Sequence, residues 1–131
     1  MPYYHTKDGT KLYYEETGYG EDIVFIHGWS CSHLLFKRQI PIFAKNYHVV
    51  GYDLRGHGDS DRILLGLDLP TFADDLKSLV EDRGLKNMVL IGWSMGAQII
   101  WEYIKNYGCE SIRKIVLADM TSPFIRKPIT R

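Results

Sequence analysis

Several features that would place the chain in a specialised class are missing from its 131 residues. Lysine and arginine together number 16, as do aspartate and glutamate, so the formal net charge is zero. This balance indicates neither nucleic acid nor an anionic membrane surface as a partner. No apolar stretch is long enough to span a bilayer, and residues 1–9 lack the apolar core of a signal peptide. We therefore expect a cytoplasmic protein.

Cysteine is also scarce, because the chain has only Cys31 and Cys109. Their separation fits no metal-binding spacing, and two free thiols are expected in a reducing compartment, with a single disulfide as the alternative. The hydrophobic share of 45% and charged share of 24% are ordinary for a globular protein. We expect residues 1–131 to form a single domain.

The apolar pattern predicts strands that alternate with helices. Asp8-Gly9 is a hairpin signal between two short strand-like segments, so the first two strands should be antiparallel. Four later apolar runs read as buried strands, at residues 22–26, 47–53, 89–91 and 114–119. The predicted fold is α/β, with a mostly parallel six-stranded sheet and helices on both faces.

Three helices are predicted from capping residues and periodicity. The first runs roughly over residues 33–46 and is broken or restarted at Pro41. The second takes Thr71 as its N-cap and ends at Gly84. The third follows the fifth strand, and its predicted buried face consists of Ala97, Ile100, Trp101 and Ile104.

The fifth strand leads directly into Gly92-Trp93-Ser94-Met95-Gly96, a G-x-S-x-G pattern that opens the third helix. Such a turn is so tight that a side chain at either glycine would collide with a neighbouring strand or helix. The pattern predicts that Ser94 has a strained backbone and that its hydroxyl stands at the carboxyl edge of the sheet. The five residues alone are a weak signal, whereas strand, turn and helix in succession are a specific one.

Two further motifs follow the third and fourth strands: His27-Gly28-Trp29, and Asp53-Leu54-Arg55-Gly56-His57-Gly58-Asp59-Ser60. Together with the serine turn they resemble the α/β-hydrolase superfamily, in its branch of serine esterases and perhydrolases. The resemblance implies that Ser94 is the nucleophile and that the backbone N–H groups of Trp29 and Met95 form the oxyanion hole. A serine at this turn argues against the dehalogenase and epoxide-hydrolase branches, which use a carboxylate there.

The chain departs from the family pattern in its histidines. In the family the nucleophile is followed by an acid and then by a histidine. All five histidines of this chain precede Ser94. The resemblance therefore implies a truncated fold, the N-terminal half of an α/β-hydrolase, without the C-terminal strands and the cap.

Candidates for the acid and the base remain open at this stage. Asp119, at the end of the sixth strand, is either the acid or a carboxylate that accepts hydrogen bonds from turn N–H groups. His27 and His57 lie on loops at the catalytic edge, and each is either the base or a structural residue that bonds loop backbone. His57 and the nearby aspartates match no established ligand spacing, so we expect neither a metal nor a cofactor.

These observations predict a carboxylesterase-like serine hydrolase that cleaves small acyl esters through an acyl-enzyme on Ser94. The alternative is a catalytically impaired, truncated hydrolase that serves as a binding or assembly module. In either case the sixth strand should form an exposed apolar edge, at Ile115, Val116 and Leu117. We therefore expect a homodimer or a higher homo-oligomer.

Overall fold

A computed structural model describes residues 2–62 and 67–118. Its strands are β1 (Tyr3–His5), β2 (Lys11–Thr17), β3 (Asp22–Ile26), β4 (His48–Tyr52), β5 (Met88–Trp93) and β6 (Ile112–Ala118). Its helices are a short 3-10 helix (His33–Phe36), α1 (Gln39–Phe43), α2 (Leu69–Arg83) and α3 (Met95–Tyr107). No helix in these two segments has the length and apolar character needed to cross a membrane.

The strands form one six-stranded sheet in the order β1-β2-β4-β3-β5-β6. β1 pairs antiparallel with β2, and β2 antiparallel with β4, whereas β4, β3, β5 and β6 run parallel. The predicted hairpin and the mostly parallel sheet are both confirmed. Because β3 lies between β4 and β5, the loops that follow these three strands meet at one edge of the sheet.

Side chains of the central strands alternate between two buried layers, as strand geometry requires. In β3, Val24 and Ile26 face the larger layer, which α2 and α3 cover. Ile23 and Phe25 face the opposite, smaller layer, where Phe36 of the 3-10 helix packs against them. Helices therefore cover both faces, as predicted, although the second face carries only short ones.

The structure changes two predicted helix boundaries. Residues 33–46 form two short helices, the 3-10 helix and α1, rather than one helix interrupted at Pro41. The N-cap of α2 is Asp68 and not Thr71, because the Asp68 carboxylate accepts a hydrogen bond from the Thr71 N–H at 2.9 Å. Gly84 ends α2 as predicted, with φ at +62°.

The buried face of α3 matches the predicted face only in part. Ala97 and Ile100 are buried as predicted, but Trp101 and Ile104 are only half-buried, and Gly96, Ile99 and Tyr103 complete the buried face. The close approach of Gly96 to β3 fixes this rotation, and helical spacing then continues from that glycine. The prediction failed here because it assigned Gly96 to the turn and did not count it in the packed face.

A buried ion pair between Arg55 and Asp75 joins the loop after β4 to α2. The Arg55 guanidinium donates to both carboxylate oxygens of Asp75, at 2.7 and 2.8 Å, and to Asp8 at 2.9 Å. Arg55 and Asp75 are almost fully buried. The hydrogen bonds to Asp75 raise the pKa of Arg55 above its usual range, so the guanidinium stays charged.

Replacement of Asp75 by alanine should destabilise the protein, because a buried guanidinium would lose its main partner. We expect Asp75→Ala to lower the free energy of unfolding by about 3–5 kcal/mol, measured by urea denaturation. Glu110→Gln, which neutralises an exposed carboxylate, is the matched control and should have little effect. A loss of less than about 1 kcal/mol for Asp75→Ala would show that the ion pair is not a major support of the fold.

Candidate active site

Ser94 lies at the sharp turn between β5 and α3 and has a strained backbone. Its φ and ψ are 57° and −117°, a region that residues other than glycine rarely adopt. Such a conformation costs about 1–3 kcal/mol, which the surrounding structure must supply. The Ser94 N–H donates to the carbonyl of Ala118 in β6 at 3.0 Å. The strain predicted from the G-x-S-x-G pattern is confirmed.

The two glycines of the pattern allow this turn to pack. A Cβ on Gly92 would lie 2.7 Å from the backbone nitrogen of Ala97. A Cβ on Gly96 would lie 3.0 Å from the carbonyl oxygen of His27 and closer still to that of Ile26. Both positions therefore exclude any side chain, and α3 starts directly against the end of β3.

The loop after β3 lies against the serine turn. A Cβ on Gly28 would lie 3.2 Å from the Ser94 Cβ, so the two segments almost touch. The next residue, Trp29, is 53% exposed. Among the residues that the structure describes, the backbone N–H groups of Trp29 and Met95 donate no hydrogen bond. That of Met95 stands at the first position of α3, where the helix dipole favours negative charge.

His27 is fully buried beneath this site, and both of its ring nitrogens are engaged by backbone. Nδ1–H donates to the carbonyl of Gly28 at 2.7 Å, and Nε2 accepts from the Leu54 N–H at 3.0 Å. Burial lowers the pKa of His27 from 6.5 to about 4. With Nε2 already accepting a hydrogen bond, these contacts favour the structural role over the base.

His57 is nearly buried on the loop after β4. Its Nδ1 lies 2.9 Å from the carbonyl oxygen of Arg55, which can only accept, so Nδ1 carries the proton. The ring stands edge-on to Trp29, with the centroids 5.0 Å apart. Within residues 2–62 and 67–118, no histidine ring is hydrogen-bonded to the Ser94 hydroxyl.

His33 and Asp53 form a buried pair that the sequence patterns do not predict. The Asp53 carboxylate accepts from the His33 backbone N–H at 2.6 Å and from its Nδ1 at 2.7 Å. It also accepts from the Asp59 N–H at 2.8 Å. A fully buried carboxylate needs hydrogen-bond donors. The position of Asp53 at the end of an apolar strand was therefore the sequence signal that a donor lies nearby. The pair holds the loops after β3 and β4 together.

The structure thus brings Ser94, Trp29 and Met95 to one edge of the sheet. His27 lies beneath them with its nitrogens occupied. Asp119, the candidate acid, lies outside the residues that the structure describes.

A cleft of about 310 Å³ opens beside the loop after β3. The residues that line it include Trp29, Cys31, His57, Arg62 and Leu67. A volume of this order holds a small organic molecule. The cleft combines apolar surface with one cationic side chain.

Comparison with known proteins identifies the family. The sequence profile of the alpha/beta hydrolase fold matches residues 23–128. The chain therefore belongs to the α/β-hydrolase family.

Individual relatives agree with this assignment. The chain is 35% identical over 128 residues to an AB hydrolase superfamily protein of Bacillus subtilis, covering 96% of this chain and 48% of the relative. It is 34% identical to a non-heme chloroperoxidase of Kitasatospora aureofaciens, covering 97% and 46%. An esterase structure from Exiguobacterium antarcticum superimposes with a TM-score of 0.91 at 34% identity, covering 96% and 48%. The chain spans about half the length of the relatives it matches, which also include epoxide hydrolases.

The backbone of Ser94 leads to a prediction on stability. Ser94→Gly removes the Cβ that makes a positive φ costly, whereas Ser94→Ala removes the hydroxyl and keeps the Cβ. We expect the glycine variant to be more stable than the alanine variant by about 1 kcal/mol, measured by urea denaturation. Equal stability, or a more stable alanine variant, would show that the turn stores no backbone strain.

Proposed function

We propose that this chain is a carboxylesterase-like serine hydrolase that acts on small acyl esters through Ser94. The observation that carries the proposal is the positive-φ serine at the start of α3, with the loop of Gly28 and Trp29 packed against it. Family membership and the esterases among the relatives support hydrolase chemistry. The small cleft beside Trp29 supports a small substrate.

In the proposed reaction the Ser94 Oγ attacks the ester carbonyl carbon while its hydroxyl proton passes to a base. The carbonyl oxygen becomes an oxyanion, which accepts hydrogen bonds from the N–H groups of Trp29 and Met95. Collapse of this intermediate releases the alcohol, which takes up a proton, and leaves an acyl group on Ser94. Water then hydrolyses the acyl-enzyme. Each oxyanion donor of this kind contributes about 3 kcal/mol to lowering the barrier.

The base that accepts the proton of the Ser94 hydroxyl requires a separate proposal. His27 bonds backbone through both nitrogens, so we propose a non-standard base or one that a partner chain supplies. Asp119 stays the candidate acid. An oxyanion hole and a binding pocket alone retain about 10³–10⁴-fold catalysis over water when a triad is disabled. Slow cleavage of activated esters is therefore expected even if no base reaches Ser94.

A second candidate function has its own support. Since no histidine bonds the Ser94 hydroxyl in the described segments, the chain would also suit a catalytically impaired hydrolase that acts as a binding or assembly module. The two candidates differ in one measurable property, the reactivity of the serine.

Labelling with a fluorophosphonate separates the two candidates, because the probe reacts with an activated serine in an oxyanion hole. We expect the native chain to be labelled and Ser94→Ala to remain unlabelled, as read by intact-protein mass spectrometry. Ser78→Ala, on α2 and remote from the turn, is the matched control and should label like the native chain. Absence of label on the folded native chain would contradict the hydrolase proposal and favour the binding module.

The proposal includes a cytoplasmic location. Both cysteines, Cys31 and Cys109, are free thiols, and Cys109 is exposed. Free thiols of this kind persist in a reducing compartment.

We further propose that the chain self-associates through β6 or the sheet face beside it. In the described segments β6 pairs with β5 only, so its other edge offers unpaired backbone groups. Val116 is 42% exposed on this strand, and its neighbours Ile115 and Leu117 are half-buried. Pairing of two such edges in a two-fold dimer would bury this apolar surface.

A lysine at Val116 should weaken this association, because it would place a charge on the paired edge. We expect analytical ultracentrifugation at micromolar concentration to show a dimer or larger species for the native chain and a shift towards monomer for Val116→Lys. Tyr19→Lys changes an aromatic residue that is 91% exposed, on the loop between β2 and β3, and should leave the association unchanged. A clean native monomer would rule the association out.

A further inference from the structure

His48 lies at the opposite edge of the sheet from Ser94. It is the first residue of β4, whereas Ser94 follows the last residue of β5, and the two strands run in the same direction. The His48 ring is partly exposed, and no proposed catalytic step involves it. Its contacts nevertheless join three strands.

The imidazole of His48 lies between two carboxylates. Its Nδ1 is 2.8 Å from Oδ1 of Asp22, the first residue of β3. Its Nε2 is 2.9 Å from Oε1 of Glu16, near the end of β2. An ionised carboxylate only accepts hydrogen bonds, so both contacts require a proton on each ring nitrogen. Only the imidazolium carries a proton on both ring nitrogens. A neutral ring would face one of the two carboxylates with a lone pair.

We propose that His48 is a pH-sensitive staple, whose imidazolium ties β2 and β3 to β4 and whose deprotonation releases one of the two carboxylates. The strand ends that it joins flank the loop of residues 18–21. A Cβ on Gly18 would lie 2.7 Å from the carbonyl oxygen of Ala44 and closer still to that of Tyr47, so this loop packs tightly beside the staple. Loss of one carboxylate contact therefore loosens the amino-end edge of the sheet.

The two carboxylates are held from their other sides and are not free to turn away. Arg83 of α2 donates to Oε2 of Glu16 at 2.7 Å, and the backbone N–H of Lys86 donates to Oδ2 of Asp22 at 2.9 Å. Two cations and two anions balance in this cluster when His48 is protonated.

Other charged groups around the staple have partners of their own. The Glu21 carboxylate pairs with Arg113 at 3.0 Å, while its carbonyl accepts the His48 N–H. Asp82 lies 3.6 Å from Arg83, whose guanidinium also stands over the Tyr14 ring. None of these groups replaces the charge that His48 loses, so deprotonation leaves the cluster with a net negative charge.

The direction of the pKa shift agrees with the geometry. Burial is the largest single influence and lowers the pKa of His48, but the hydrogen bonds and charges of Asp22 and Glu16 together outweigh it and raise the pKa above 6.5. A base whose pKa is higher in the folded state stabilises the fold most below its unfolded pKa. That contribution is lost as the pH rises through the folded pKa.

The ring titration of His48, followed by NMR of its Cε1–H signal in the 131-residue chain, tests the staple directly. We expect a midpoint above 6.5, and a lower midpoint in Glu16→Gln and in Asp22→Asn than in the native chain. Glu110→Gln neutralises an exposed carboxylate outside the cluster and should leave the His48 midpoint unchanged. A native midpoint at or below 6.5 would overturn the proposal.

Urea denaturation over the range from about pH 6 to about pH 9 supplies the second readout. The ratio of the folding equilibrium constants of the native chain and His48→Asn should fall as the pH rises, because the variant lacks the titrating ring. A ratio that stays constant or rises with pH would also overturn the proposal. Neither measurement depends on esterase activity, so the proposed role of His48 can be contradicted without contradicting the proposed function, and the reverse.

Discussion

The close approach of α3 to the end of β3 is the constraint on which the rest of the site depends. Gly96 sits so near the carbonyl groups of Ile26 and His27 that no side chain fits. This contact sets the rotation of α3 and hence the residues that it buries. It also leaves the chain so little room between β5 and α3 that Ser94 adopts a positive φ. Strain at the serine and tight packing at the glycines are two consequences of one approach.

Buried polar side chains keep the surrounding loops in register with that turn. Asp53 joins the loops after β3 and β4, His27 joins the same loops through Leu54, and Arg55 joins the second loop to α2. Each of these groups would be costly to bury without its partners, so the loops are specified by hydrogen bonds and not by apolar packing alone. The same contacts explain why His27 suits support of the site better than proton transfer.

Sequence patterns predicted those parts of the molecule that local geometry decides. The hairpin at Asp8-Gly9, the buried strands and the strained Ser94 all follow from short-range rules on turns and periodicity. The buried face of α3 does not follow from such rules, because it depends on a contact between Gly96 and a strand far away in sequence. The N-cap of α2 and the burial of His33 were missed because each rests on which side chain reaches a given partner in three dimensions. The role of Asp119 stays a prediction.

We propose that the turn at Ser94 and the N–H groups of Trp29 and Met95 form a working oxyanion site within this chain. A crystal structure of the chain after reaction with an alkyl phosphonate tests it most directly. We expect a covalent bond from Ser94 Oγ to phosphorus, with the phosphoryl oxygen about 2.7–3.1 Å from both backbone nitrogens. An unmodified Ser94, or a phosphoryl oxygen bonded to neither N–H group, would contradict it.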